Sequence, residues 1–247
     1  MRYDLAEVSL PGDRKYNQDR TLCLRHQERV FLAVADGMGG HVRGDLAAQW
    51  AVDILSAIFK KSGAATITDP RAFLKQCCQL AHQNIEAKGA REKMPDLPRT
   101  TLVVALIDGD QACWAHIGDS RIYWLRGEQL KLRSIDHSPV EALFQKGAIT
   151  EGQKKTHPDR NLVSKSIGGN DNHPKATISE LKTLEPGDTL LLCTDGLWDA
   201  LDDDYFNLFW SKDLPSAKAL NQLAVYAELS NFPSSDNVSA VACTLKR

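Results

Sequence analysis

Apolar residues along the chain follow two rhythms. Short runs rich in β-branched and aromatic residues occupy 3–9, 30–35, 101–107, 112–117, 121–125, 176–181, 189–193 and 238–245. Their lengths, and the Gly, Pro, Asp and Ser residues that flank them, predict strands. Several follow one another across turns as short as Asp108-Gly109-Asp110 and Arg126-Gly127-Glu128, which predicts antiparallel pairing. The second rhythm is helical. Leu46, Ala47, Trp50, Ala51, Ile54, Leu55, Ile58 and Phe59 trace one wide face over 44–61. Pro70 opens a second helix that continues through Phe73, Leu74, Cys77, Cys78, Ala81 and Ile85, and a third is predicted over 216–230. Runs of strands interrupted by paired helices predict an α+β fold: a central β-sandwich of two antiparallel sheets flanked by helix pairs.

No internal repeat or long linker breaks the pattern. The polar, irregular stretch 138–173 reads either as a surface excursion or as a flap beside an active site. With 247 residues, 43% hydrophobic and 25% charged, the chain has the balance of a globular protein, and a single domain over 1–247 is expected. Its 30 basic and 32 acidic residues leave a formal charge of −2, so no global positive field exists to hold nucleic acid or an anionic membrane. The first 20 residues carry charges throughout, unlike a signal peptide, and the longest apolar run, 102–107, is far short of the roughly 20 residues that span a bilayer. A cytoplasmic protein is expected. The six cysteines lack C-x-x-C spacing and read as reduced, mostly buried small hydrophobes.

The chemistry lies in aspartates. Three apolar runs end alike, at Asp36-Gly37, Gly118-Asp119-Ser120 and Asp195-Gly196, and Asp236 immediately precedes a fourth. Any one of these is an ordinary turn residue. Brought to a common edge, four carboxylates need a compensating cation, because like charges a few ångströms apart do not all stay ionised. Carboxylates and turn carbonyls form an all-oxygen donor set suited to Mg²⁺ or Mn²⁺, and no His or Cys cluster has the spacing of a zinc site. Two such ions lower the pKa of a water and neutralise oxygens on phosphorus, which is chemistry for phosphoester hydrolysis. Arg14, in Arg14-Lys15-Tyr16-Asn17-Gln18-Asp19, offers a fork for phosphate oxygens, against the plainer reading of a solvated loop arginine. The segment Asp36-Gly37-Met38-Gly39-Gly40-His41 has glycines that allow positive φ and close backbone approach. It could turn a carbonyl toward a metal or N–H groups toward a phosphate, but lacks the lysine and spacing of a P-loop.

Seven motifs in order run almost end to end: Arg14-x-x-Asn17-Gln18-Asp19, Asp36-Gly-Met-Gly-Gly-His41-x-x-Gly44, Thr100-Thr101-Leu102, Gly118-Asp-Ser-Arg121-x-Tyr123, Asp136-His137-Ser138, Leu191-Leu-Cys-Thr-Asp195-Gly-Leu197 and Asp236-Asn237. In these the sequence resembles the metal-dependent PPM (type 2C) serine/threonine protein phosphatases in their compact bacterial form. The resemblance implies a dinuclear Mg²⁺ or Mn²⁺ site at one edge of the sandwich. Asp36 would bridge both ions, the Gly37 carbonyl would bind the second, and Asp195 with Asp236 the first. Asp119 matches a position that recruits a third ion, together with Asp195. Asp19 would act through a metal-bound water, Arg14 would hold the phosphoryl group, and 138–173 matches the flap. Eukaryotic members carry a histidine acid where this chain has Met38, which leaves His41 as a possible proton donor, against the reading of a turn histidine. The implied activity is hydrolysis of phosphoserine and phosphothreonine in proteins by direct attack of metal-bridged water. A cognate serine/threonine kinase and a monomeric state are expected with it.

Three competing readings remain at this level. Cys23-Leu-Arg-His-Gln-Glu-Arg29 satisfies Cys-x₅-Arg, yet the cysteine lies in an apparent strand followed by a charged turn without glycine, unlike a thiol-phosphatase cradle. A phosphoprotein-binding PPM-like regulatory module would have lost metal aspartates, and none is lost. A two-metal phosphoesterase acting on a small molecule shares the chemistry and differs only in substrate.

Overall fold

The computed structural model describes residues 2–38, 43–62, 67–127, 129–169, 174–201 and 216–246. Along the chain they form β1 (Arg2–Leu10), β2 (Arg20–His26), β3 (Arg29–Ala35), β4 (Gly37–Met38), α1 (Gly44–Ser62), α2 (Pro70–Arg91) and β5 (Arg99–Thr100). Next come β6 (Leu102–Asp108), β7 (Gln111–Ile117), β8 (Arg121–Arg126), β9 (Gln129–Arg133), α3 (Pro139–Gln145), α4 (Glu151–Thr156) and β10 (Ile167–Gly168). Finally come β11 (Thr177–Ile178), β12 (Lys182–Thr183), β13 (Asp188–Cys193), α5 (Asp195–Trp198), α6 (Ser216–Ser230) and β14 (Val238–Lys246).

Two antiparallel sheets stack face to face, ordered β1-β14-β13-β8-β9 and β11-β7-β6-β3-β2, with β12 also on β7. The period-two alternation of each strand decides what lies on either side. In β3, Val30, Leu32 and Val34 point between the sheets, where they meet Val103, Ile107, Trp114, Leu190, Leu192 and Val241. Phe31, Ala33 and Ala35 point the other way, into the layer under α1 and α2. The second sheet face, with Leu191, Cys193, Ala240 and Ala242, is covered by α6 through Leu220, Leu223, Ala224 and Ala227. The result is the predicted four-layer α-β-β-α sandwich, whose central strands β3, β6, β7, β13 and β14 are buried on both faces and therefore read as nearly continuous apolar runs.

Helix boundaries follow local chemistry. Asp69 caps α2 by accepting from the Arg71 and Ala72 N–H groups, with Pro70 in the first turn. Two differences from the sequence pattern stand out. The run 176–181 is not one strand. Within it only Thr177–Ile178 pairs with β7 as β11; Ser179 then meets Trp114 through its N–H and its hydroxyl, Leu181 faces solvent, and pairing resumes beyond the run as β12. β9 is an edge strand that the predicted strands do not include, although Leu130 and Leu132 alternate there with Gln129, Lys131 and Arg133.

Register brings the functional loops to one end of the sandwich. Leu10 pairs with Val238, Cys193 with both Ala240 and Arg121, Arg20 with Ala35, and Leu102 with Ile117. The segments leading to or from these residues are those that carry Asp19, Asp36, Asp119, Asp195 and Asp236. Just behind this edge, Arg121 at the start of β8 forks onto Asp136, with Nε–Oδ1 2.8 Å and Nη2–Oδ2 2.6 Å, both side chains almost fully buried. Its guanidinium lies 3.5 Å from the centre of the Trp198 ring. Removing one partner of a buried pair strands the other's charge, so Asp136→Asn is expected to cost about 3 kcal/mol or more in denaturant unfolding.

Candidate active site

The aspartate-bearing loops line the floor of a cleft of about 980 Å³, reached by Arg14, Asp36, Gly37, Asp119, Asp195 and Asp236. Its construction depends on close backbone approach. A Cβ on Gly37 would lie 2.3 Å from the Gly44 carbonyl oxygen, so the strand end and the start of α1 meet only because both residues are glycine. Gly37 does this without a positive φ, contrary to one of the options its sequence allowed. Gly196 is pressed in the same way against the Asn237 carbonyl, at 2.1 Å from a notional Cβ, and so joins the Asp195 and Asp236 loops. Gly39, Gly40 and His41, including the possible proton donor, lie outside the described residues.

Each acid is fixed by its neighbours. The Asp36 N–H donates to Thr101 Oγ1 at 3.0 Å, and its carbonyl accepts from the Thr101 N–H and the Thr100 hydroxyl. Thr194, directly before Asp195, donates its hydroxyl to Asp19 Oδ2 at 2.9 Å and accepts from the Ser239 N–H. The Asn237 side chain takes the Gln18 N–H and gives its own N–H groups to the Pro11 and Tyr16 carbonyls, tying the N-terminal loop to the Asp236 loop. The Trp198 indole donates to the Asp119 carbonyl at 3.0 Å. Thr194, Asn237 and Trp198 thus support the site; the first two stand in the sequence motifs without a role assigned to them, and Trp198 was not singled out. Their only signal was adjacency to the aspartates, since their partners lie far away in the chain.

Crowding dominates the electrostatics. Asp19 is 3% and Asp119 7% exposed, while Asp36, Asp195 and Asp236 keep an accessible edge on the cleft. Burial, followed by the Asp195 and Asp136 charges, pushes the Asp119 carboxyl up to about 8. Asp195 is raised to about 6 by burial and then by Asp236 and Asp199, with a hydrogen bond to Asp36 acting the other way. Asp36 and Asp19 are also held well above the carboxylate range, Asp36 by burial and the charges of Asp19, Asp195, Asp119 and Asp236, and Asp19 by burial and Asp195.

Asp236 has a counter-ion. Arg14 forks onto it through Nε at 3.0 Å and Nη2 at 2.8 Å, an exposed loop arginine, as the plainer reading has it, that is nonetheless paired with an acid of the site. No three His, Cys, Asp or Glu side chains among the described residues are gathered as ligands round a single point. The donor set still fits hard cations: it is oxygen-only, crowded, open to the cleft on one side, and retains protons for want of positive charge. The wall opposite comes from the 138–169 stretch through Arg160, Asn161, Val163 and Ser166, and Arg160 approaches Asp199 across the cleft at 3.8 Å. Nothing in the local pattern of that polar run signalled the pairing.

Cys23 sits in β2 opposite Leu32 of β3, and burial pushes its thiol up to about 11, away from nucleophilic ionisation. It does not line the cleft.

The sequence profile described as Protein phosphatase 2C matches residues 12–232. The chain belongs to the protein phosphatase 2C family. The protein phosphatase PhpP of Streptococcus pneumoniae is 32% identical over 244 residues, covering 97% of both chains. Among solved structures of the family, the serine/threonine phosphatase Stp1 of Staphylococcus aureus superposes with a TM-score of 0.91 at 26% identity, covering 100% of this chain and 96% of that one. The catalytic domain of the serine/threonine protein phosphatase PstP, in complex with two manganese ions, does so with a TM-score of 0.83 at 28% identity over 99% of each chain.

The raised carboxyls make metal-free stability fall with pH. Asp195 and Asp119 ionise near 3.8 when unfolded but at about 6 and about 8 when folded. Between these limits the native state holds more protons, so stability is greatest at the acid end and is lost as pH rises through the folded values. The melting temperature of chelator-treated protein is expected to drop from about pH 5 to about pH 8, and added Mn²⁺ to raise it more at the alkaline end. A flat profile in chelator would contradict the crowding.

Proposed function

We propose that this family member is a Mg²⁺- or Mn²⁺-dependent phosphatase acting on phosphoserine and phosphothreonine in proteins, as a monomer whose catalytic domain spans 1–247. The observation that carries the reading is the set of buried, mutually crowded carboxylates on the floor of an open cleft, in a chain of this family. A site that holds protons at acids far above their ordinary range is one whose charge balance calls for cations.

Asp36, the Gly37 carbonyl, Asp195 and Asp236 would hold two ions, and Asp119 with Asp195 a third. Divalent ions there supply a lowered pKa for water and neutralisation of phosphoryl oxygens. The protein's own residues do the remaining work. Arg14 lines the cleft with Nε and Nη2 committed to Asp236, and its Nη1, outside that fork, would meet a phosphoryl oxygen. Asp236 thereby orients the guanidinium as well as serving the ions. Asp19 is oriented by the Thr194 hydroxyl, and burial with the neighbouring Asp195 charge raises its carboxyl well above the ordinary range, which favours its holding a proton. The polar, open cleft suits a protein segment, and a serine/threonine kinase would supply that substrate.

The test is hydrolysis of an aryl phosphate and of phosphopeptides. Turnover should vanish with EDTA, return with Mn²⁺, and fall about a hundredfold or more in each of Asp36→Asn, Asp195→Asn and Asp236→Asn. Phosphothreonine peptides should be cleaved in preference to phosphotyrosine ones. Undiminished turnover by Asp36→Asn in chelator would end this proposal. Cys23→Ser is expected to leave turnover at the wild-type level in the same assay, and its loss in folded protein would revive the thiol mechanism.

A further inference from the structure

The cleft wall formed by 138–169 meets an imidazole ring at each end, and at the far end is held as well by pairing of β10 with β5 and by Ile167 in the core. At the first end His137 and Gly118 bond reciprocally: the His137 N–H donates to the Gly118 carbonyl at 2.9 Å, and the Gly118 N–H donates to His137 Nδ1 at 3.1 Å. Because Nδ1 accepts, the ring proton is on Nε2, 2.8 Å from Thr177 Oγ1. The ring stacks on His116 with centroids 4.6 Å apart and planes 9° from parallel, while His116 Nε2 donates to the Ile135 carbonyl. The His137 carbonyl in turn accepts from the Ser164 N–H at 2.8 Å. At the far end the Gly168 N–H donates to Nδ1 of His82, whose Nε2 lies 3.3 Å from Glu86 Oε2 on the same helix.

Between these ends the segment is stiff in itself and lightly held by the sandwich. Ser138 caps α3, a Thr150–Gln153 capping box starts α4, and Lys154 joins Glu141 to Glu151. α3 and α4 pack chiefly against each other. The ion pair across the cleft, Arg160 with Asp199, is long and half-exposed, a class of contact that contributes little. A stiff body with weak lateral ties takes its position from its two attachments.

We propose that His137, seconded by His82, is a positioning residue that holds the 138–169 wall in register with the Gly118–Asp119 turn and so sets which phosphorylated segments the cleft accepts. This rests on reading the cleft as the phosphatase site. A small aryl phosphate needs only the floor, whereas a peptide must also fit the wall, so selectivity between them reports the wall's position.

The test compares His137→Leu, which removes both ring nitrogens, with His137→Asn, which restores an oxygen acceptor for the Gly118 N–H. In hydrogen exchange on the full chain, His137→Leu should exchange faster at Gly118 and across 138–169, with β3 and β13 unchanged, and His137→Asn should recover most of the protection. With Mn²⁺ present, the ratio of kcat/KM for a phosphothreonine peptide to that for an aryl phosphate should fall about tenfold in His137→Leu, through KM, and stay within about twofold in His137→Asn. Should His137→Leu fail to fold, Thr177→Val keeps the imidazole and removes only its Nε2 partner, and should give the same signature at smaller size. Unchanged exchange in 138–169, or equal loss on both substrates, overturns the proposal. Wild-type protein inactive on both substrates would overturn the catalytic reading instead, and exchange alone would then decide the wall's attachment.

Discussion

Everything at the working edge of this protein follows from the mutual repulsion of carboxylates that the fold forces together and removes from water. Asp36 feels the charges of Asp19, Asp195, Asp119 and Asp236, all contributed by different loops. A cluster of this kind opposes folding, because burial and like charge both disfavour the ionised form. It persists because the loops are clamped independently of the acids. Thr101 accepts from the Asp36 N–H, Thr194 from the Ser239 N–H and Asn237 from the Gln18 N–H, neutral hydrogen bonds that do not depend on whether the carboxylates are charged.

Those clamps work because the sandwich behind them is rigid and featureless in charge. Between the sheets lie Val, Leu, Ile and Trp side chains, and each fully buried one stabilises the fold by about 1.5–3 kcal/mol. The antiparallel register of long paired strands leaves little freedom for one loop to slide against the next. The scaffold therefore supplies the stability that the acidic edge consumes. The Arg121–Asp136 fork stands at the border between the two regions, compensated on both sides and covered by Trp198.

The opposite wall follows a different rule. It is joined to the sandwich at its two ends, by His137 with Gly118 at one and at the other by the short β10–β5 pairing, the buried Ile167 and the bond from Gly168 to His82. Such joints are directional and few, so the two halves of the cleft differ in kind: a floor fixed by register and a wall fixed by individual hydrogen bonds. A binding site assembled this way keeps its reacting groups in place while the part that meets a large substrate is adjusted separately.

Much of this was legible in the chain itself. Continuous apolar runs ending in Asp-Gly declared both the strands and the acids at their tips, and the helical stretches declared the layers that cover them, because periodicity and turn chemistry are local properties. The aspartates could be called a cluster only on the condition that their strand ends meet, and that condition was settled by pairing between residues such as Leu10 and Val238, which no local pattern specifies. The same holds for Arg14, indistinguishable in sequence from a solvated arginine until Asp236 is brought against it from 222 positions away. It holds too for the broken run 176–181, where Ser179 diverts the backbone toward Trp114. Sequence by itself determined which residues are apolar, which turn, and which carry oxygen donors. Only the tertiary structure decided which charges share a space, because electrostatic energy depends on separation and burial, and neither quantity is a property of neighbouring positions along a chain.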